Sequence, residues 1–334
     1  MRKLRTAVIG VGHLGKQHAR IHAALAAEGE TQFVVVCDRE EETARAIAAE
    51  RETEWTLDWR SLIGRIDAVS LAVPTESHCE IACALLAKGI HVLVEKPISR
   101  SLEEADRMIA AAEAGNALLQ VGHLERFNPA LVALRPYVRT PLYFEIHRVG
   151  EFTARSLDID VVLDLMIHDL DIVQWLVGEE VEVTDVRAVG IPVLTRRVDA
   201  ANARLEFANG AVANITASRV GMEKIRKMRF FQPHDYVAVD YATRFASVSS
   251  LAPPSSADAR PGVHVRPLEI KDVEPLRAEI EAFFDAVINR KPSPVTGLEG
   301  RRALSLALRA LERIHEHTTK AGLHSLSASN ESGG

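Results

Sequence analysis

From Thr6 to Val121 the chain alternates short apolar runs with amphipathic stretches. The runs Thr6–Gly10, Phe33–Cys37, Ala68–Val73, His91–Val94 and Ala117–Val121 read as strands. Between them, Gly15–Glu28, Glu40–Arg51, Ser77–Lys88 and Ser101–Ala114 carry apolar residues at helical spacing. Apolar strands separated by amphipathic helices predict a parallel sheet with helices on both faces, because each crossover must cover it. Ser101, with Glu103 and Glu104 behind it, predicts a capped helix start with acids in the first turn.

Beyond about residue 140 the rhythm changes to that of an antiparallel sheet. Leu142–Val149, Val181–Val193, Ala203–Phe207, Val212–Ser218, Lys227–Phe231 and Tyr236–Tyr241 read as strands with few helices between them. Asn209-Gly210 joins two of these runs and predicts a two-residue hairpin. One helix, Val161–Leu176, interrupts the series, and Pro275–Asn289 and Leu298–His315 close it. Pro253 and Pro254 mark a loop. The expected division is an α/β doubly wound Rossmann domain over 1–122 and a mostly antiparallel α+β domain over 123–325. A tail over 326–334, made of small and polar residues, is expected to be disordered.

The 334 residues are 47% hydrophobic and 26% charged, ordinary for a globular chain and sufficient for two cores. A net charge of −6 offers no basic field to nucleic acid or an anionic membrane, although it leaves room for a local cationic pocket. Three cysteines are too few for a disulfide framework. Cys79 and Cys83 share a helix face and are expected to be small core residues in a reducing compartment. The basic start Met1-Arg2-Lys3-Leu4-Arg5 precedes only Ala7-Val8-Ile9 before glycines intervene, so no secretion signal is expected. No apolar stretch approaches the roughly 20 residues that span a bilayer. A cytoplasmic protein is expected.

Gly10-Val11-Gly12-His13-Leu14-Gly15 is G-x-G-x-x-G, placed after an apolar strand and at the opening of a helix. Gly10 permits the tight turn, Gly12 lets backbone approach a pyrophosphate, and Gly15 lets helix and strand pack closely. The helix N-terminus adds N–H groups and partial positive charge. Asp38 ends the next strand pattern, where a carboxylate binds ribose hydroxyls and repels a 2′-phosphate. NAD is therefore the expected cofactor, although Arg39 could greet the extra phosphate of NADP. Pro74, Thr75 and His78 follow a later strand, where ligands of such sheets bind. Thr75 and His78 could line the cofactor cleft, or Thr75 could cap its helix.

Glu95-Lys96-Pro97 also sits at a strand's carboxyl end. A lysine beside apolar surface and a cationic nicotinamide is expected to lose proton affinity, and so to exchange protons or bond a reacting hydroxyl. Pro97 restricts Lys96 to an extended backbone. In the helix Val161–Leu176, Asp164, His168 and Asp171 are spaced i, i+4, i+7 and form one polar stripe on an otherwise apolar surface. Burying such groups is costly unless they are paired or working, and a structural Asp–His pair is the bland alternative. Asp169 falls outside the stripe. No cluster of metal ligands is evident, and no metal is expected.

These motifs together resemble the glucose–fructose oxidoreductase / inositol dehydrogenase / MocA family over nearly the whole length. The resemblance rests on G-V-G-H-L-G, strand-end Asp38, V-E-K-P-I at 94–98, and the D-x-x-x-H pair Asp164/His168. It implies an NAD-dependent dehydrogenase with Lys96, Asp164 and His168 as active-site trio, brought together from the two domains. It also implies an open second-domain sheet that mediates homodimers or homotetramers. The segment G-H-L-E-R-F-N-P-A at 122–130 is similar to the branch that oxidises the 3-hydroxyl of UDP-N-acetylglucosamine, whose product feeds an aminotransferase. On that likeness Glu125, Arg126, Asn128 and Arg155 are expected to contact substrate, with Arg148 adding positive charge. The alternatives are a dehydrogenase of a free polyol or sugar, inositol-like, and a non-catalytic NAD-binding protein.

Overall fold

The computed structural model describes residues 3–29, 31–152, 159–252 and 262–323. In chain order the first half runs β1 (Leu4–Ile9), α1 (Gly15–Glu28), β2 (Thr31–Cys37), α2 (Glu41–Arg51), β3 (Glu54–Thr56), β4 (Ala68–Leu71), α3 (His78–Leu86), β5 (His91–Glu95), α4 (Leu102–Ala114) and β6 (Leu119–Gly122). The second half contains α5 (Pro129–Leu134), β7 (Tyr143–Glu151), α6 (Ile167–Val177), β8 (Val183–Ile191), β9 (Ala200–Phe207) and β10 (Val212–Gly221). It continues with β11 (Ile225–Gln232), β12 (Asp235–Asp240), β13 (Phe245–Ala252), β14 (Gly262–Pro267), α7 (Pro275–Asn289) and α8 (Gly297–Lys320).

Six strands form a parallel sheet in the order β3-β2-β1-β4-β5-β6. The order reverses between β1 and β4, so the loops after these strands part and leave the crevice in which such sheets bind ligands. Ala7, Val8 and Ile9 of β1 are almost without exposure, as a strand covered on both faces requires. One cover is built from Val11, Ala19, Val36 and Ala48 around Val8. The same face continues with Ile21 and Leu25 of α1 and Leu93 of β5, together with Leu276, Ile280, Phe283 and Phe284 of α7.

That last helix makes the units discontinuous. Met1–Phe127 with Val273–Leu304 form one compact unit, and Asn128–Asp272 with Ser305–Gly334 form the other. A single cut at residue 122 misses this because α7 is separated from the Rossmann elements by the whole second sheet. Pro275 at its first position and Leu276, Ile280, Phe283 and Phe284 along one face make α7 a helix by local rules, but those rules do not say what it covers.

The second unit holds eight strands in the order β14-β13-β12-β11-β7-β10-β9-β8. Every pairing is antiparallel except β7 with β10. The predicted hairpin joins β9 to β10, with Gly210 at φ +86° and the Gly210 N–H donating to the Phe207 carbonyl at 2.9 Å. Alternate residues point inward: Phe144 and Ile146 on β7, Ala203 and Leu205 on β9, Ala213 and Ile215 on β10, Phe230 on β11. Strands β3, β13 and β14 were not foreseen. β3 is three residues long, and all six residues of β14 are exposed, so neither carries a burial pattern to read.

The helix expected over 161–176 is the clearest departure. Val162–Met166 is a π-helical turn, and α6 proper begins at Ile167. The widened turn moves Asp164 out of the regular i, i+4 relation, and Asp171 is buried whereas Asp164 and His168 are partly exposed. Pro253, Pro254, Arg155 and the tail over 326–334 lie outside the described residues.

Candidate active site

In the first unit the glycine turn is shaped by contact. A Cβ on Gly10, at φ +81°, would lie 2.5 Å from the Ala72 carbonyl oxygen, and one on Gly15 would lie 1.7 Å from that of Gly10. No side chain fits at either place. A Cβ on Gly12 would meet no described atom within 4 Å. Protein packing therefore explains the glycines at 10 and 15 but not at 12, where bare backbone faces open space of the kind a diphosphate fills. Gly12, His13 and Leu14 are exposed around it. No side chain caps α1 at Leu14; the Lys16 N–H donates to the Gly12 carbonyl at 3.1 Å and the Gln17 N–H to that of Leu14 at 2.8 Å, so the turn itself closes the positive end of the helix.

Asp38 reaches back over this turn. Its carboxylate accepts the Val11 N–H at 2.7 Å and the Glu40 N–H at 3.1 Å, which fixes it beyond β2 where the adenosine ribose of a dinucleotide belongs. Arg39 is mostly exposed and lies 3.5 Å from Glu40. These residues fit NAD.

The loops after β4 and β5 are tied together. The buried His78 imidazole lies 2.9 Å from the Val73 carbonyl oxygen and 3.1 Å from that of Pro97. Burial lowers its proton affinity, outweighing the carbonyl oxygens that raise it, and the ring braces the Lys96 loop. Pro74 and Ser77 precede the turn and α3, and Thr75 caps neither.

Glu95 anchors Lys96. Its carboxylate lies 2.9 Å from His18 Nε2 and accepts the Lys96 backbone N–H at 3.3 Å. Burial alone would raise this carboxyl. The His18 hydrogen bond and charge, with the Lys96 ammonium, outweigh that and hold it below the usual range. His18 was not foreseen, since nothing local in the sequence pairs a residue of α1 with one of β5. Glu279 of α7 was missed for the same reason. It is fully buried, and neither carboxyl oxygen finds a hydrogen-bond partner among the described residues. Desolvation and repulsion from Glu95 push it well above the carboxylate range, so it is a neutral acid.

Arg126 is buried against Glu299, whose other oxygen accepts the Thr296 N–H at 2.5 Å and closes a capping box at the start of α8. The structure thus places Arg126 in an ion pair within its unit, and Glu125 beside it is partly buried.

In the second unit Asn128 accepts the Ala130 N–H at 3.1 Å and caps α5 ahead of Pro129. The sequence Asn-Pro-Ala carried that signal, because Asn at the cap and Pro at the first helical position are both preferred. Asp164 lies in the π turn and His168 in the first turn of α6. Asp169, set aside by the helical-stripe argument, is buried in a two-pronged ion pair with Arg148 at 2.7 and 2.8 Å. Among the described residues no three metal-ligating side chains cluster, and no helix is long and apolar enough to cross a membrane.

Comparison with known proteins agrees with this geometry. A family model described as an oxidoreductase family with an NAD-binding Rossmann fold matches residues 4–123, and one for the GFO/IDH/MocA C-terminal domain matches residues 103–230. A UDP-N-acetylglucosamine 3-dehydrogenase from Acidithiobacillus ferrooxidans is 39% identical over 306 residues, covering 91% of this chain and 95% of the relative. A solved structure of that enzyme superimposes with a TM-score of 0.87, covering 95% of this chain and 99% of the other. An inositol 2-dehydrogenase from Rhizobium meliloti is 27% identical over 94% of this chain and 97% of its own length. The resemblance read from the motifs is borne out: the chain belongs to the GFO/IDH/MocA family of NAD-binding oxidoreductases.

Proposed function

We propose that this protein is an NAD-dependent dehydrogenase that oxidises the 3-hydroxyl of UDP-N-acetylglucosamine to the 3-keto sugar. The observation that carries this reading is the 39% identity to an enzyme of that activity, sustained over 91% of the chain. The glycine turn, the uncapped start of α1 and Asp38 hold the cofactor, and Lys96, Asp164 and His168 carry the chemistry. When bound, NAD supplies the acceptor for the hydride that leaves the carbinol carbon. Lys96, its backbone anchored by Glu95, hydrogen-bonds the reacting oxygen and stabilises developing alkoxide charge. His168 takes the hydroxyl proton, with Asp164 orienting it. Arg126 and Asn128 support the site as an ion-pair member and a helix cap rather than by gripping substrate. The protein works as a homodimer or homotetramer in the cytoplasm, and its ketone product suits an aminotransferase acting next.

The test is absorbance at 340 nm with NAD+ and either UDP-N-acetylglucosamine or myo-inositol. A rise with the nucleotide sugar alone is expected. A rise with myo-inositol alone would replace the substrate by a free polyol, the reading that the inositol dehydrogenase relatives favour. Silence across a panel of sugars and polyols would sink the dehydrogenase reading.

A further inference from the structure

Arg148 occupies an unusual position for a charge. It follows Phe144 and Ile146 in the inward phase of β7, the strand hydrogen-bonded by β11 on one side and β10 on the other. Its backbone partners are Arg226 and Ala217, so its origin is fixed in the middle of the eight-stranded sheet. Its guanidinium forks onto Asp169 of α6 with both side chains essentially inaccessible, 3% and 0% exposed. Tyr241 places its ring 5.4 Å from the same guanidinium.

The pair also stands at one end of a particular stretch. At the other end Asp160 is pinned. Its carboxylate accepts the Val198 N–H at 2.9 Å, and the Val161 N–H donates to the Val198 carbonyl at 2.9 Å. Between the two pins runs the π turn Val162–Met166, followed by Ile167 and His168. A π turn is wider than the α-helix and recurs at functional sites. Asp164 and His168 are the partly exposed polar groups of this pinned stretch.

We propose that Arg148 and Asp169 are positioning residues that aim His168, an inference that rests on the reaction proposed above. A buried ion pair is poor at stabilising a fold, since well-packed apolar replacements are often neutral or better. What a two-pronged pair supplies is direction: two parallel hydrogen bonds fix where the first turn of α6 sits and how it is rotated. His168 immediately precedes Asp169, so any roll of that turn swings the imidazole.

The experiment compares Asp169→Leu, Arg148→Met/Asp169→Leu, Arg148→Lys and His168→Asn for thermal midpoint, NADH affinity, kcat and KM. Asp169→Leu strands a buried guanidinium and lowers the midpoint. The double variant is expected to regain the midpoint while kcat stays depressed, on the order of a hundredfold, the loss expected from misplacing a reacting group by about 1 Å. Arg148→Lys keeps the charge but not the fork, and is expected to fold, bind NADH as wild type does, and lose kcat more than it changes KM. A double variant that regains both midpoint and kcat, or an Arg148→Lys enzyme with wild-type kcat, overturns the proposal. Wild-type kcat in His168→Asn would instead remove His168 from the reaction, a different failure read from a different variant.

Discussion

The two units hold their chemistry in place by different means. In the first, backbone leads: strands end, glycines permit a turn that no side chain allows, and an uncapped helix begins, with Asp38 and Glu95 securing the turn and Lys96. In the second, position is set by side chains reaching over long range, with Arg148 of β7 holding Asp169 of α6 and Asp160 holding Val198. Backbone devices tolerate little variation in sequence but need no partner. Side-chain devices leave each residue ordinary in its own neighbourhood and acquire meaning only from a distant one.

The sharpest way to break this contrast is at Lys96, the one proposed catalytic group placed by a strand end. Lys96→Met is expected to lower kcat by roughly three orders of magnitude, within the range general acid–base groups contribute, with NADH affinity nearly intact by fluorescence titration. Retained kcat would remove the lysine from the mechanism. The glycine turn offers a paired test. Gly15→Ala drives a methyl into the Gly10 carbonyl and is expected to cost about 1–3 kcal/mol or more in urea unfolding. Gly12→Ala meets no protein atom and is expected to leave stability unchanged while weakening NADH binding at least about tenfold, 1.4 kcal/mol. Equal effects of the two would deny that Gly12 is reserved for ligand.

A smaller effect probes Glu279. Folded, it keeps a proton that the unfolded chain releases, so its contribution is full below the unfolded carboxylate pKa and is lost as pH rises through the raised folded value. Gln has no such proton to lose. The stability of Glu279→Gln relative to wild type should therefore grow as pH rises above about 5, with a limiting slope near 1.4 kcal/mol per pH unit. Parallel stability curves would show that Glu279 is ionised after all.

What was legible follows the same line. The glycine fingerprint, Asp38 and the Lys96 turn were readable because each is a short motif at a predictable strand end, and the six-stranded sheet declared itself by its apolar runs. The hairpin at Asn209-Gly210 was readable from its turn residues. Asp169 was discarded because the helical stripe assumed regular 3.6-residue spacing, which the π turn breaks, and because its partner lies on a strand about twenty residues earlier. Arg126 was read as a substrate contact through the family likeness, and its partner Glu299 stayed out of sight because it is far along the chain. His78 looked like a cleft residue because its two carbonyl partners leave no trace in composition. Patterns of burial are local, and these pairings are not.

The return of α7 to the first unit bears on synthesis. By the time a ribosome has released Phe127, every strand of the nucleotide-binding sheet exists, yet Ile21, Leu25 and Leu93 still lack Ile280, Phe283 and Phe284. The edge strand β6 likewise waits for the Val295 carbonyl, which accepts the Val121 N–H at 3.0 Å. The early half of the protein must therefore wait, with one apolar wall uncovered, until almost the entire chain has emerged, so a polypeptide that stops short of Val273 carries every strand of the cofactor domain and still cannot close its core.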